Sequence, residues 1–168
     1  MRISLFFMKN TIISFLFIVC SFAVLGWSSD FIKMNILFAS LGATATLIFI
    51  YPHAPFSKWK NVFVAYSLNY IVSMMMFTLF PNHYLLLAIV LGMTILALAH
   101  FEYTHPPAAG IPIALFLLED KLQFGLILLV SLSWLIFMSF LHSKALSRYG
   151  KAQWYRRNRG VVSERIFN

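Results

Sequence analysis

The 168-residue sequence predicts an all-α integral membrane protein of about six hydrophobic segments, two of them interrupted or re-entrant, arranged as a 3+3 inverted repeat. Three observations carry this expectation. Hydrophobic residues make up 61% of the chain and charged residues 11%, which is far from the balance of a soluble domain. Apolar runs recur along the chain, most of them near the roughly 20 residues that ~30 Å of hydrocarbon requires. The second and fifth runs are broken by small, hydroxylated or proline residues, and each stands in the middle of a group of three.

The first run, residues 11–28, follows a basic start and has the look of a secretory signal. It is read instead as a spanning helix, because Thr11 to Trp27 is longer than a usual signal core and lacks a clear small-x-small cleavage site. Cys20 has no partner, so no disulfide framework or cysteine-based metal site is expected. The second run, residues 31–51, contains "FASLGATATLIFIY", where Ser40, Gly42, Thr44 and Thr46 interrupt the apolar sequence. A half-helix from near Gly42 to Ile50 is the expected form. Pro52 and Pro55 then stop the helix, and Lys58 and Lys60 supply charge. The third and fourth runs, residues 62–80 and 83–100, are joined by the tight turn "FPNHY". The fifth, residues 106–118, and the sixth, residues 122–142, are separated by "LEDKLQ".

Orientation follows from where lysine and arginine lie. Six crossings place Arg2, Lys9, Lys58, Lys60 and the C-terminal basic residues on one side, so both termini are expected in the cytoplasm of a bacterial inner membrane. Asp30, Lys33, the Pro81–His83 turn, Glu119, Asp120 and Lys121 fall on the other side. Residues 1–142 then form the transmembrane domain and 143–168 a basic cytoplasmic tail. Seven of the thirteen basic residues lie in that tail, so the net charge of +8 reads as a membrane flank touching anionic headgroups and not as a nucleic-acid surface.

The fifth run is entered through "HFEYTHPPAAGIPIAL", residues 100–115. Pro106 and Pro107 carry no amide hydrogen and bias the residue before each towards extended backbone, so His105 and Pro106 are expected to be extended. A half-helix from near Pro107 to Leu118 follows, with Gly110 allowing a close backbone approach and Pro112 loosening or kinking its first turn. In lipid the unpaired amides of a helix start must bind something, and each start carries about half a positive charge. Two starts meeting from opposite sides near the midplane would hold a small anion without a buried lysine. Its candidate lining is Ser40, Gly42, Ala43, Thr44, Thr104, His105, Pro106, Pro107, Ala108 and Gly110, with hydroxyls and the His105 ring as added donors. Lys58, Lys60 and Asn61 mark the mouth, where positive-inside orientation alone also places lysines.

"THPPAAG" resembles the signature of the HPP family of integral membrane proteins, named for its His-Pro-Pro motif. Upstream, "SLGATATLIFIYPHAPFSKWKNV" looks like that family's Gly-Ala-Ser/Thr-Ala run, then Pro-His-Ser-Pro, a spacer, and a basic residue followed by asparagine, here Lys60 and Asn61. The resemblance covers about residues 35–140 and implies a membrane transporter, with nitrite the substrate attributed to plastid and cyanobacterial relatives. Two places depart from the pattern. Val64, Ala65 and Tyr66 stand where members often carry Gly-Gly-His, and Ala108 to Pro112 stand where they read Ala-Gly-Ala-Thr-Ala.

The expected function is therefore a transporter or channel-like carrier for a small monovalent anion, nitrite by resemblance. No enzymatic activity, cofactor or metal is expected: His100, Glu102 and His105 lack a companion cysteine pair or a second histidine at helical spacing. The expected partners are the inorganic anion and membrane lipid, with a homo-oligomer allowed and nucleic acid excluded. Two alternatives stand beside it: a membrane enzyme using His105 and Glu102 as acid and base, and a scaffold holding a partner or lipid by its basic tail.

Overall fold

The computed structural model describes residues 2–32, 35–52 and 54–166, with side chains placed at 11–26, 37–52 and 54–147. Its helices are α1 (Arg2–Ile32), α2 (Asn35–Ile50), α3 (Trp59–Leu79), α4 (Tyr84–His100), α5 (Gly110–Leu117) and α6 (Lys121–Ile166). Short 3-10 turns occupy Pro55–Ser57 and Pro106–Ala109, and no strand occurs among the described residues. The punctuation read from the sequence sets the boundaries. Phe80 is extended (φ −126°, ψ 150°) because Pro81 follows it, and α3 ends there. After α4 the chain reverses through Glu102, a non-glycine residue at positive φ (61°).

Among the described residues two helical stretches are long and apolar enough to cross a membrane, Trp59–Leu79 and Lys121–Ser147. The 21 residues of α3 rise roughly 31 Å, matching the hydrocarbon thickness. Shorter apolar stretches are Thr11–Gly26, Leu37–Ile50, Tyr84–His100 and Pro106–Leu117. The last rises only about 18–20 Å. Polarity is inverted relative to a water-soluble bundle. Leu85, Leu96, Leu122 and Val130 are each about 70% exposed, while Ser40, Thr44, Asn61, Asn69, Ser73, His105 and His142 are buried. An apolar perimeter around a partly polar interior suits lipid as solvent, since water would not tolerate so large an apolar surface. The chain is a membrane protein.

Helices α1 and α2 form an antiparallel pair: Phe22 meets Phe38 at 5.1 Å and Phe17 meets Phe49 at 5.9 Å between ring centroids. The connection after α2 and the connection after α4 come together at one end, where Asn61 Nδ2 donates to the Glu102 carbonyl at 3.3 Å. Because α5 is short, α6 starts part-way along α3, and the Tyr70 hydroxyl donates to the Lys121 carbonyl at 3.1 Å.

One expectation is corrected outright. No half-helix begins at Gly42; α2 runs unbroken from Asn35 to Ile50. The hydroxyls that looked like interruptions fold back onto their own helix, Thr44 to the Ser40 carbonyl at 3.1 Å and Thr46 to the Gly42 carbonyl at 3.0 Å. A lone glycine costs a helix about 1 kcal/mol, and here the space it leaves is taken by a neighbour: a Cβ on Gly42 would stand 2.6 Å from the Phe22 ring. The two middle segments are therefore built differently, one a continuous helix and the other a 3-10 turn followed by α5. At the C-terminal end, α6 continues past residue 142 to Ile166. The side chains of Asp30, Lys33 and the tail beyond residue 147, with His53, lie outside the described residues.

Candidate functional site

The break before α5 is built by its prolines. His105 is extended (φ −142°, ψ 94°), as a residue before proline should be, and the 3-10 turn starts at Pro106 itself. Pro106 is thus the first residue of the turn and not extended, because proline's fixed φ suits the first position of a helix. Gly110 lies against α2: a Cβ there would sit 3.2 Å from Ser40 Cβ and 3.4 Å from Ser40 Oγ. The close approach expected at this glycine is made, and its partner is Ser40.

Four buried side chains meet at that contact. Ser40 and Thr44 come from α2, one turn apart on one face; Tyr66 comes from α3; His105 comes from the extended residue before the turn. Ser40 Oγ donates to the Pro107 carbonyl at 2.7 Å and lies 2.8 Å from the Tyr66 hydroxyl. Thr44 Oγ1 is 2.6 Å from the same hydroxyl and 2.8 Å from His105 Nε2. Tyr66 also reaches the Ser40 carbonyl at 3.1 Å. His105 Nδ1 lies 2.7 Å from the Phe56 carbonyl, which can only accept, so Nδ1 carries the hydrogen. In the neutral ring Nε2 is then the acceptor, and Thr44 donates to it.

Three hydroxyl protons thus serve six short contacts. Several proton arrangements fit the same heavy-atom positions. Hydroxyl rotors can be re-aimed by turning one bond, so this cluster can redirect its donors without moving its backbone.

The other predicted residues divide clearly. Ala108 is buried beside the cluster, and Pro107 supplies a carbonyl to it. Gly42 is buried against Phe22 and not towards the cluster, while Ala43 and Thr104 are exposed. Lys58 and Lys60 are exposed at the end where the cluster lies, with the Lys60 ammonium 5.7 Å from the Trp59 ring. Asn61 is buried and ties α3 to the α4 connection through the Glu102 carbonyl. Glu102 itself is exposed, and His100 packs on Phe101 at 5.0 Å. Among the described residues no three His, Cys, Asp or Glu side chains converge as a metal site.

Residues 5–151 match the model of the family described as "HPP, transmembrane region". The chain belongs to the HPP family. No curated protein and no solved structure matches it. In this HPP protein each letter of the motif has a distinct physical task. The histidine receives Thr44 and holds the Phe56 carbonyl; the first proline starts the turn; the second offers its carbonyl to Ser40.

Backbone amides contribute less than the sequence suggested. Pro106 and Pro107 have no N–H, the Ala108 N–H bonds the His105 carbonyl at 3.0 Å, and the Gly110 N–H bonds carbonyls within the turn. With α2 unbroken as well, no pair of opposed helix starts meets here among the described residues; the hydrogen-bonding groups gathered at the break are side chains. Tyr66 was the one missed: it appeared only as a departure from a Gly-Gly-His pattern, yet its hydroxyl joins Ser40 and Thr44 in the cluster. A second buried histidine was also missed. His142 on α6 lies 3.0 Å from Ser14 Oγ and is edge-packed between Phe17 and Phe49.

Proposed function

We propose that this HPP-family protein carries a small monovalent anion, nitrite by family analogy, and that Ser40, Thr44, Tyr66 and His105 bind it. One observation supports this reading above the rest: three hydroxyls and an imidazole are gathered, at no more than 8% exposure each, inside a bundle whose outer surface suits lipid. Polar groups are expensive there, and their usual use is a substrate path. An anion entering the cluster takes the hydroxyl protons that the residues now share among themselves. Because those internal bonds must be given up, binding is weak, and weak binding lets the ion leave.

In this reading both termini face the cytoplasm of a bacterial inner membrane, and Lys58 and Lys60 draw anions towards the near end. Segments one to three and four to six are oppositely oriented copies whose middle members, α2 and Pro106–Leu117, touch at Ser40 and Gly110. The protein moves its ligand and does not transform it.

The test is anion flux into proteoliposomes across a pH series, using wild type, His105→Ala and Tyr66→Phe. Nitrite, nitrate, chloride and formate are each offered. If wild type moves none of them above empty vesicles, the carrier reading is wrong; if flux survives both substitutions unchanged, the cluster is not the site.

A further inference from the structure

Among the described residues four buried side-chain atoms find no hydrogen-bond partner: Ser21 Oγ, Asn69 Oδ1, Ser73 Oγ and Trp134 Nε1. Two of these, Asn69 and Ser73, stand four residues apart on α3 and so share one face of it. Their exposures are 1% and 0%. Unpaired buried polar atoms are uncommon in native proteins and each calls for a reason. Inside a bilayer no bulk water is at hand to satisfy them.

Ser73 departs from the habit of its neighbours. Thr46, Thr78, Thr94 and Ser133 all donate to the carbonyl four residues back in their own helix. Ser73 does not, although the Asn69 carbonyl stands in that position. Asn69 spends Nδ2 on the Ala65 carbonyl at 2.9 Å, which fixes the amide's orientation and leaves Oδ1 as a bare acceptor. The main partner of α3 is α5, whose buried side chains Ile111, Pro112, Ala114 and Leu115 carry no hydrogen-bonding group.

Position supplies the second argument. Tyr66, Asn69 and Ser73 recur at spacings of three and four, so they form a line of about 10 Å along one face of α3. Tyr66 is the inner wall of the anion cluster. One turn beyond Ser73 on the same face, Phe77 lines an open cleft of ≈ 650 Å³ together with Met74, Thr78 and the Asp120–Lys121 turn.

We propose that Asn69 and Ser73 form a second binding station, joining the His105 cluster to the far cleft, and that its ligand is a small O–H donor: water or the protonated acid of the anion. An unpaired amide oxygen repels a bare anion and accepts readily from an O–H group, while Ser73 can both give and take a hydrogen bond. Its place in transport rests on the carrier reading; its occupancy by water does not. The station explains why two orphaned groups persist where leucine and alanine would pack better.

Two measurements on the full chain separate the outcomes. In proteoliposomes Asn69→Leu and Ser73→Ala are expected to cut anion flux at least tenfold while the detergent-solubilised variants melt at or above the wild-type temperature. Unchanged flux with raised melting would mean an inert packing flaw and overturn the proposal. In a Cys20→Ser background, Ser73→Cys is expected to react with the small water-soluble reagent methanethiosulfonate ethylammonium, because a hydrated station admits it. A folded but unreactive Cys variant would overturn the proposal by itself. Reactivity at that position in a protein that moves no tested anion would sink the carrier reading and leave the hydrated station standing. For the ligand's source, flux that rises as pH falls towards the acid's own pKa favours the protonated acid; pH-independent flux with a reactive thiol favours water.

Discussion

Removing the Tyr66 hydroxyl tests the cluster with the least collateral change. That oxygen lies 2.8 Å from Ser40 Oγ, 2.6 Å from Thr44 Oγ1 and 3.1 Å from the Ser40 carbonyl. In Tyr66→Phe, Ser40 still donates to the Pro107 carbonyl and Thr44 to His105 Nε2, so no buried donor is orphaned. The stability cost is then the net worth of one or two ordinary hydrogen bonds, about 1–2 kcal/mol. Binding should suffer more. A hydrogen bond to a charged ligand is worth about 1.5–3 kcal/mol, which corresponds to a roughly 10- to 150-fold rise in the half-saturating anion concentration. The assay is initial nitrite influx against concentration in proteoliposomes, at fixed pH and salt, beside a melting curve in detergent. Tyr66→His, which restores a ring donor, should recover part of the loss. A half-saturation within twofold of wild type in folded Tyr66→Phe protein would refute the assignment of this hydroxyl to the anion.

Four further outcomes follow from the same geometry. His105→Ala removes the donor to the Phe56 carbonyl and the acceptor for Thr44, so it should cost about 2–4 kcal/mol in melting experiments, with a donor-bearing His105→Gln recovering part of it. Gly42→Leu collides with the Phe22 ring and should destabilise the α1–α2 pair by about 1–3 kcal/mol, yet leave half-saturation unchanged in the protein that remains folded. Gly125→Ala puts a methyl group into the Tyr70 ring, so it should lower the melting temperature unless Tyr70→Phe accompanies it and relieves part of the contact. Neutralising Lys58 and Lys60 to Gln should slow influx only a few-fold, and the difference should fade as salt is raised from 10 to 300 mM, roughly, because exposed charges act through a screened field.

The location of the buried polar cluster was legible from the break at His105-Pro106-Pro107; its membership was less so. Proline's missing N–H and fixed φ are local properties, and they set the extended histidine, the turn and the start of α5 wherever the chain runs. The same local logic failed at Gly42. Small and hydroxylated residues read as an interruption, but in a helix a threonine can return its hydroxyl to the carbonyl one turn back, and a phenylalanine from α1 fills the glycine's notch. That outcome depends on a neighbour 20 residues away, which no local pattern encodes.

Composition and proline placement alone determined that this chain belongs in a membrane, that it is helical, and that the helix ending at His100 does not resume before the prolines. They did so because hydrocarbon forbids unpaired backbone and a helix cannot run on through a proline without losing a hydrogen bond. The tertiary structure decided which side chains share the interior. It brought Tyr66 to Ser40 and Thr44, tied His105 to Phe56, and left Asn69 and Ser73 without partners. Hydrogen bonds between helices depend on crossing angle and register, and those are set by the packing of the whole bundle.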